Sequence, residues 1–410
     1  MEAACCLLQG QAFEALENRK QALNCYSQAL KEDIFCYEAF HTLIDKQMLT
    51  SNEEAALLEG LDFKGNEWLK QVYLHKIKKF NLEKLPEPTI IKEYNLHTNP
   101  DIITSKAESF YFRNQFEKAY ALTKQILEDD PYDHNNTVVI HLSCLVELSK
   151  KSELFYLAHK LVEMQPNESV SWYAVGCYYY LIRKYEKARR YFSKSTTTTK
   201  DFGPGWLGFG HAFAIEGEHD QALAAYRSAH RLLSKSHIPP LYIGIELVRA
   251  NNLPLARQFV KKSESGCPYD PLVYNELGVI DFKDGKYNDA IINFEKALGL
   301  LSDVSVLATW EPIFFNLGHC YRKLRQYHNA IKYYKKALKL SSQNSTTYTA
   351  LAYTHHLLNN TTIAIELYHK ALALNPDDNF ASRMLSFALE EEAFFQTWIG
   401  EKITEPMDQT

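Results

Sequence analysis

Trp172 and Trp206 lie 34 residues apart, and three further series keep the same interval: Gly176, Gly210, Gly244 and Gly278; Ala188, Ala222, Ala256 and Ala290; and Phe192, Tyr226, Val260 and Phe294. After an insertion at Gly299–Trp310 the frame resumes at Phe314, Leu317, Gly318, Tyr321, Ala330, Tyr334 and Ala337. It recurs at Tyr348, Leu351, Ala352, Ala364, Tyr368, Ala371 and Pro376. Self-similarity at a fixed period of this length means stacked units, none of which can bury its apolar face alone. Within each period the large and small residues recur at helical spacing in two blocks, so the unit is a helix pair. Sixteen glycines and fourteen prolines make up about 7% of the 410 residues, against roughly 12% in an average chain, and breakers this sparse fit an all-helical fold.

A 34-residue period with an aromatic, Leu and Gly in the first helix and Ala, an aromatic and Ala in the second is the tetratricopeptide repeat (TPR). Each position has a packing reason. The Gly or Ala of helix A lets helix B of the same repeat approach, Ala222 sits at that contact, and Tyr226 and Ala229 are expected to meet the next repeat. Pro268 and Pro376 close their repeats because proline cannot continue a helix. The predicted fold is all-α: a TPR superhelix, that is, an α-solenoid of antiparallel helix pairs, with a C-terminal capping helix. Gly10, Phe13, Ala22, Tyr26 and Ala29 place one repeat, and Phe40 and Leu43 the start of a second, within 1–49. Residues 50–99 form an irregular helical and linker segment, with Leu85-Pro86-Glu87-Pro88 extended. The array fills 100–378, with repeats near 100–133 (closed by Pro131), 135–168, 169–202, 203–236, 237–270, 271–304, 311–344 and 345–378. A capping helix over 379–398 and a flexible tail over 399–410 follow.

Charge and composition narrow the function. Lys and Arg number 45 against 50 Asp and Glu, a net −5 without basic blocks, and this argues against nucleic-acid binding. No run approaches the apolar length of a membrane span, and the N-terminus carries Glu2 in place of a basic leader. Eight cysteines without a CxxC pair read as reduced thiols. The expected location is the nucleus and cytoplasm, with no membrane and no nucleic acid among the partners.

Motif lookalikes resolve against the register. Gly203-Pro204-Gly205-Trp206-Leu207-Gly208 matches a dinucleotide fingerprint, yet Trp206 and Gly210 are locked into the 34-residue frame, which makes it a turn between repeats. Asp281-Phe282-Lys283-Asp284-Gly285 lacks every companion of a kinase site and ends a helix A. His355 and His356 are adjacent, so they point to different helix faces and do not chelate as an i, i+4 pair does. No cysteine has a His/Asp constellation around it. The expectation is no catalytic residue, no metal and no cofactor.

What remains is the helix-A lining of the groove. The register puts Tyr173, Cys177 and Tyr180 there from one repeat, Leu207 and His211 from the next, Asn275 and Val279 further on, and Phe315, Asn316 and His319 from the repeat at 311. Aromatic, apolar and amide side chains with little positive charge suit an extended or helical peptide.

Beyond the TPR pattern, the segments ELFYLAHKLVEMQP (from Glu153), SWYAVGCYYY, KARRYFSKST and GPGWLGFGHAFAIEGEHDQALAAY resemble the TPR scaffold subunit of the anaphase-promoting complex, the cell-division-cycle-sixteen type. Thr309-Trp310-Glu311-Pro312, the FFNLGHCYRKL that follows, and Phe35–Leu58 extend the resemblance from about Cys5 to about Glu390. It implies a non-catalytic scaffold of a cell-cycle ubiquitin ligase whose helix-A groove encloses the N-terminal segment of a small accessory subunit. It also implies contacts with other TPR and scaffold subunits. Tyr173, Tyr180, Leu207, His211, Asn275, Phe315, Asn316 and His319 are the implied contacts. Members of the family carry further N-terminal repeats through which two copies dimerise, and this chain starts after most of them, so homodimerisation is not implied here. Two other readings differ in what they need. A chaperone-associated TPR cochaperone clamping a C-terminal peptide needs several Lys/Arg converging with Asn, whereas Arg322-Lys323 stand nearly alone. An enzyme with a TPR adaptor needs a catalytic domain beyond the repeats.

Overall fold

The structure, a computed structural model, describes residues 2–16, 18–63, 65–77, 99–129, 135–301 and 310–404. The linker at Leu85–Pro88, Pro131, Thr309 and the rest of 302–309, and the tail end at 405–410 lie outside the described residues. Among the described residues there are helices and no strand, so the Gly203–Gly208 sequence has no preceding strand and opens a helix, Gly203–Ile215. The chain forms two compact units, Met1–Val273 and Tyr274–Thr410.

In the first unit, Glu2–Ala15 pairs with Arg19–Glu32, and Tyr37–Asp45, Ser51–Glu59 and Glu67–Ile77 follow. Five regular pairs come next: Pro100–Phe112 with Phe116–Asp129, Asn135–Glu147 with Lys151–Met164, Ser169–Leu181 with Tyr185–Thr198, Gly203–Ile215 with His219–Leu232, and Ile238–Arg249 with Leu253–Gly266. The second unit begins within Pro271–Lys283 and continues with Tyr287–Leu300, the pairs Glu311–Lys323 with Tyr327–Leu340 and Ser345–His356 with Thr361–Leu374, and a final helix, Asn379–Thr404. That helix runs past Trp398 to Thr404, through positions expected to belong to a flexible tail.

The recurring glycine has a sharper role than close helix approach. A Cβ on Gly210 would stand 2.4 Å from Cε1 of Tyr226, and the same clash recurs at Gly10 with Tyr26, Gly176 with Phe192, Gly278 with Phe294 and Gly318 with Tyr334. The ring of helix B therefore lies flat on the helix A backbone of its own repeat. Tyr226 was expected at the neighbouring repeat; it covers Gly210 first and also stacks on Tyr242 of the next helix A, with centroids 5.5 Å apart. One ring thus joins two repeats, and each such ring is almost wholly buried. Gly299 is the contrast: nothing lies within 4 Å of its would-be Cβ inside helix Tyr287–Leu300. Gly299→Ala is therefore expected to stabilise the chain by about 0.5–1 kcal/mol through helix propensity, read as a raised melting temperature.

The turns between helices A and B carry their own period. Ser149, Arg183, Gly217, Asn251 and Gly285, and then Arg325 and Asn359, all sit at positive φ, between 55° and 81°. This is the left-handed residue that ends a helix. At Arg183 its N–H donates to the Tyr180 carbonyl (3.0 Å) while Lys184 N–H donates to Tyr179 (2.9 Å), the double closure of a Schellman turn. Glycine occupies two of these seven places, which is why the turn is only partly visible in the sequence. The tryptophans also lock turns, since Trp172 Nε1–H donates to the Pro166 carbonyl (2.8 Å) and Trp206 Nε1–H to Lys200 (3.1 Å).

Candidate peptide-binding surface

The first unit brings Tyr173, Cys177, Tyr180, Leu207 and His211 onto two adjacent A helices, at different depths. Tyr173 and Cys177 are 8% and 5% exposed. The Tyr173 ring packs on Phe192 and edge-on against Phe202, at 5.7 and 5.6 Å. Burial pushes the Cys177 thiol up to about 12, so it is protonated at neutral pH. Tyr180, Leu207 and His211 are half-buried and reach the surface. His211 Nδ1 and the Tyr226 hydroxyl share a hydrogen bond of 2.8 Å, and its ring stands edge-on to Tyr242 at 4.3 Å. Burial pushes His211 down to about 4, which leaves it neutral at pH 7.

Residues that the groove positions did not single out share this face. Tyr111 and Tyr180 both feel the charge of Glu147, whose carboxyl is pushed above its ordinary range by the surrounding wall although the side chain still reaches solvent. Glu246, 3% exposed, is held by His219 Nδ1 at 2.7 Å and Arg249 Nη1 at 2.8 Å. Tyr242 occupies the helix-A position facing the preceding helix B. Its signal was present in the ring at Tyr226, because a ring bridging two repeats needs a partner on the second.

The second unit gathers the other residues. Phe315 and His319 meet edge-on at 4.2 Å, His319 Nδ1 shares a 2.7 Å hydrogen bond with the Tyr334 hydroxyl, and Phe282 approaches the His319 ring at 6.4 Å. Burial, with Arg322 and Lys323 adding to it, lowers His319 to about 4. Asn275 donates through Nδ2 to Glu276 (2.9 Å), while its buried Oδ1 has no partner among the described residues. Val279 and Asn316 are half-buried on the same face, with the Asn316 amide making no side-chain hydrogen bond among the described residues. Asp281, which headed the kinase-like string, is buried and accepts from Asn293 Nδ2 at 2.7 Å. Among the described residues no three His, Cys, Asp or Glu side chains cluster so as to hold a metal, and no helix is long and apolar enough to cross a membrane.

Helix pairs whose B-helix ring covers a glycine of helix A, with a face of half-buried amides and rings left open, define a tetratricopeptide-repeat protein. The tetratricopeptide-repeat profile matches residues 312–344 and 345–378 directly. The chain is 42% identical to the mouse cell division cycle protein 16 homolog over 98% of its own length and 67% of that protein's. It is 43% identical to anaphase-promoting complex subunit 6 of Arabidopsis thaliana, over 96% of this chain and 74% of that one. Among solved structures, the Cut9–Hcn1 hetero-tetramer of the anaphase-promoting complex superposes with a TM-score of 0.86 and 37% identity, covering 94% of this chain and 76% of that chain. The chain belongs to the family of anaphase-promoting complex subunit 6, the cell division cycle protein 16 type.

Proposed function

We propose that the chain is a non-catalytic scaffold subunit of the anaphase-promoting complex, a cell-cycle ubiquitin ligase, and that its helix-A faces hold a segment of a small Hcn1-like subunit. The observation that carries this reading is the likeness, over nearly the whole chain, to a TPR subunit solved with such a partner. The chemistry of the faces supports it. His211 and His319 are committed to phenols, and Cys177 and Cys320 are thiols pushed up to about 12 by burial, so the groups best suited to catalysis are used in packing. Asn275 and Asn316 offer amides to a peptide backbone, and Phe315 an apolar wall. Contacts with other TPR and scaffold subunits, and residence in nucleus and cytoplasm, belong to the same proposal. The cochaperone reading is not favoured: it requires a cluster of cations, and Arg322 stands among neutral groups.

A thermal melt with and without the small subunit's N-terminal segment tests it. A ligand that binds only the folded chain, at about 100 times its Kd, adds roughly 2.7 kcal/mol, a clear upward shift; an unchanged melt with no heat of binding contradicts the proposal. Asn316→Ala is expected to weaken binding about 5- to 10-fold with unchanged helicity, through loss of one hydrogen bond. Equal affinity would remove Asn316 from the surface.

A further inference from the structure

The first unit carries a cavity that the helix-A face does not use. It measures about 330 Å³ and lies between two helices B, Phe116–Asp129 and Lys151–Met164, with His141 and Leu145 of helix A Asn135–Glu147 also in its lining. Val139, Ser143 and Val146 stand 34 residues before Tyr173, Cys177 and Tyr180, so they are the groove positions of this repeat, and none of them lines the cavity. Its walls are apolar: Leu127 and Leu145 are buried, Leu157 is half-buried, and Tyr156 at the rim is 73% exposed. The charged side chains around it are answered from within. Lys124 pairs with Glu128 at 3.8 Å, Glu153 with Lys150 at 3.5 Å, and Lys160 is engaged as well.

One polar atom in that wall is left over. His141 is 6% exposed; its ring lies against Tyr120, with centroids 5.2 Å apart and planes at 22°, and the Tyr120 hydroxyl donates to Glu153. The His141 Nδ1 is 2.8 Å from Thr123 Oγ1, which in turn stands 2.9 Å from the Ala119 carbonyl and 3.1 Å from that of Tyr120. A threonine hydroxyl has one hydrogen. Given to a carbonyl, it leaves Oγ1 to accept from Nδ1–H, and that tautomer makes Nε2 an acceptor. Tyr120 covers a face of the ring and Thr123 its Nδ1 edge, so the cavity meets the Nε2 edge, and Nε2 has no hydrogen-bond partner among the described residues. Burial pushes His141 down to about 4, which leaves this lone pair without a proton at pH 7.

We propose that the cavity is a docking pocket for a tryptophan side chain of a partner protein, with the indole N–H donating to His141 Nε2. A lone pair in an apolar wall calls for a donor, and an indole is an apolar body with one donor and no acceptor. A tyrosine hydroxyl would bring a further acceptor into an apolar wall. A phenylalanine would leave Nε2 buried and unpaired, and a lysine would bring a charge to a cavity whose carboxylates are already paired. Tyr156 gives the arriving chain a ring to lie on, in the way that aromatic anchors seated in pockets dominate protein interfaces. The pocket is separate from the helix-A face, so this inference stands or falls apart from the Hcn1-like reading.

The test titrates the full chain at pH 7, by ligand-observed NMR, with indole, with benzofuran, which has the same shape and no N–H, and with N-acetyl-tryptophanamide. Indole is expected to bind about 3- to 10-fold more tightly than benzofuran, the value of one hydrogen bond. N-acetyl-tryptophanamide should bind at least as tightly as indole, since its amides stay at the mouth. His141→Phe should erase the preference for indole over benzofuran, and Leu157→Trp should fill the cavity and abolish binding of all three. Equal affinity of the wild type for indole and benzofuran shows that Nε2 accepts nothing and overturns the proposal, a comparison that needs no variant to fold. Indole binding unchanged in Leu157→Trp places the ligand elsewhere and overturns it too. Indole bound with N-acetyl-tryptophanamide rejected marks a site for a free small molecule and overturns the docking pocket, as does a wild type that binds none of the three.

Discussion

Gly210→Leu is expected to destabilise the chain by more than about 3 kcal/mol, the upper range for overpacking, and to lower its melting temperature by several degrees. The position of Gly210 is occupied on its outer side by Tyr226, whose Cε1 and Cδ1 would lie 2.4 and 2.7 Å from any Cβ. Relief by moving the ring is blocked, because the same ring stacks on Tyr242 and shares its hydroxyl with His211. The helices must part instead, and the contact to the next repeat parts with them. Gly210→Ala carries the same clash with less to displace, and about 1–3 kcal/mol is expected. The smaller figure is reasonable because the repeat beginning at Ser345 is built with Ala352 where its neighbours have glycine, opposite a fully buried Tyr368. The check is a denaturant or thermal melt of both variants beside Gly299→Ala. A Gly210→Leu chain that melts with the wild type would show that Tyr226 does not lie on this helix.

Acidification should loosen the array through three histidines. His141, His211 and His319 are each lowered from 6.5 to about 4, with burial as the first cause at all three. At His141, Glu153 opposes the shift while Lys150 and Lys124 assist it; at His319, Arg322 and Lys323 assist. A depressed pKa means that the unfolded chain binds the proton more readily. The contribution to stability is therefore fully present above pH 6.5 and is lost as pH falls towards 4. Between pH 7 and pH 5 the loss is about 2 kcal/mol for the buried His141, and about 1 kcal/mol for each of the half-buried His211 and His319 after allowance for solvent. His141→Gln, His211→Gln and His319→Gln keep a neutral group beside the hydroxyl that each ring meets, those of Thr123, Tyr226 and Tyr334, so each variant should lose less stability than the wild type over that interval. Denaturant unfolding at pH 7, 6 and 5 measures the difference, and identical pH slopes for wild type and variants would contradict the burial of these rings.

Much of this architecture is legible in the amino-acid sequence. The 34-residue spacing of Gly210 and Gly244, and of Tyr334 and Tyr368, is a statement about helix pairs whichever repeat is considered. The left-handed turns were visible only where glycine marked them, at Gly217 and Gly285. Arg183 and Arg325 adopt the same φ because the surrounding helices impose it, and an arginine carries no turn signal of its own. The helical end of Asn379–Thr404 was missed because Gly400 and the nearness of the terminus read as a frayed tail.

The helix-A face divides in the same way. Register determines an angle around a helix axis, so sequence alone placed Tyr173, Cys177, His211, Asn275, Phe315 and His319 on one side of the A helices. Depth on that side depends on the size and reach of side chains from neighbouring helices, which no single helix encodes. Phe192 and Phe202 cover Tyr173, whereas His211 and His319 stay half-open because each is held out by a phenol from its own helix B. The tertiary structure likewise decided that, among the described residues, the buried Tyr368 hydroxyl and the Arg322 Nε find no hydrogen-bond partner. Both are failures of pairing, and pairing is a property of distance between helices, which a periodic sequence leaves open.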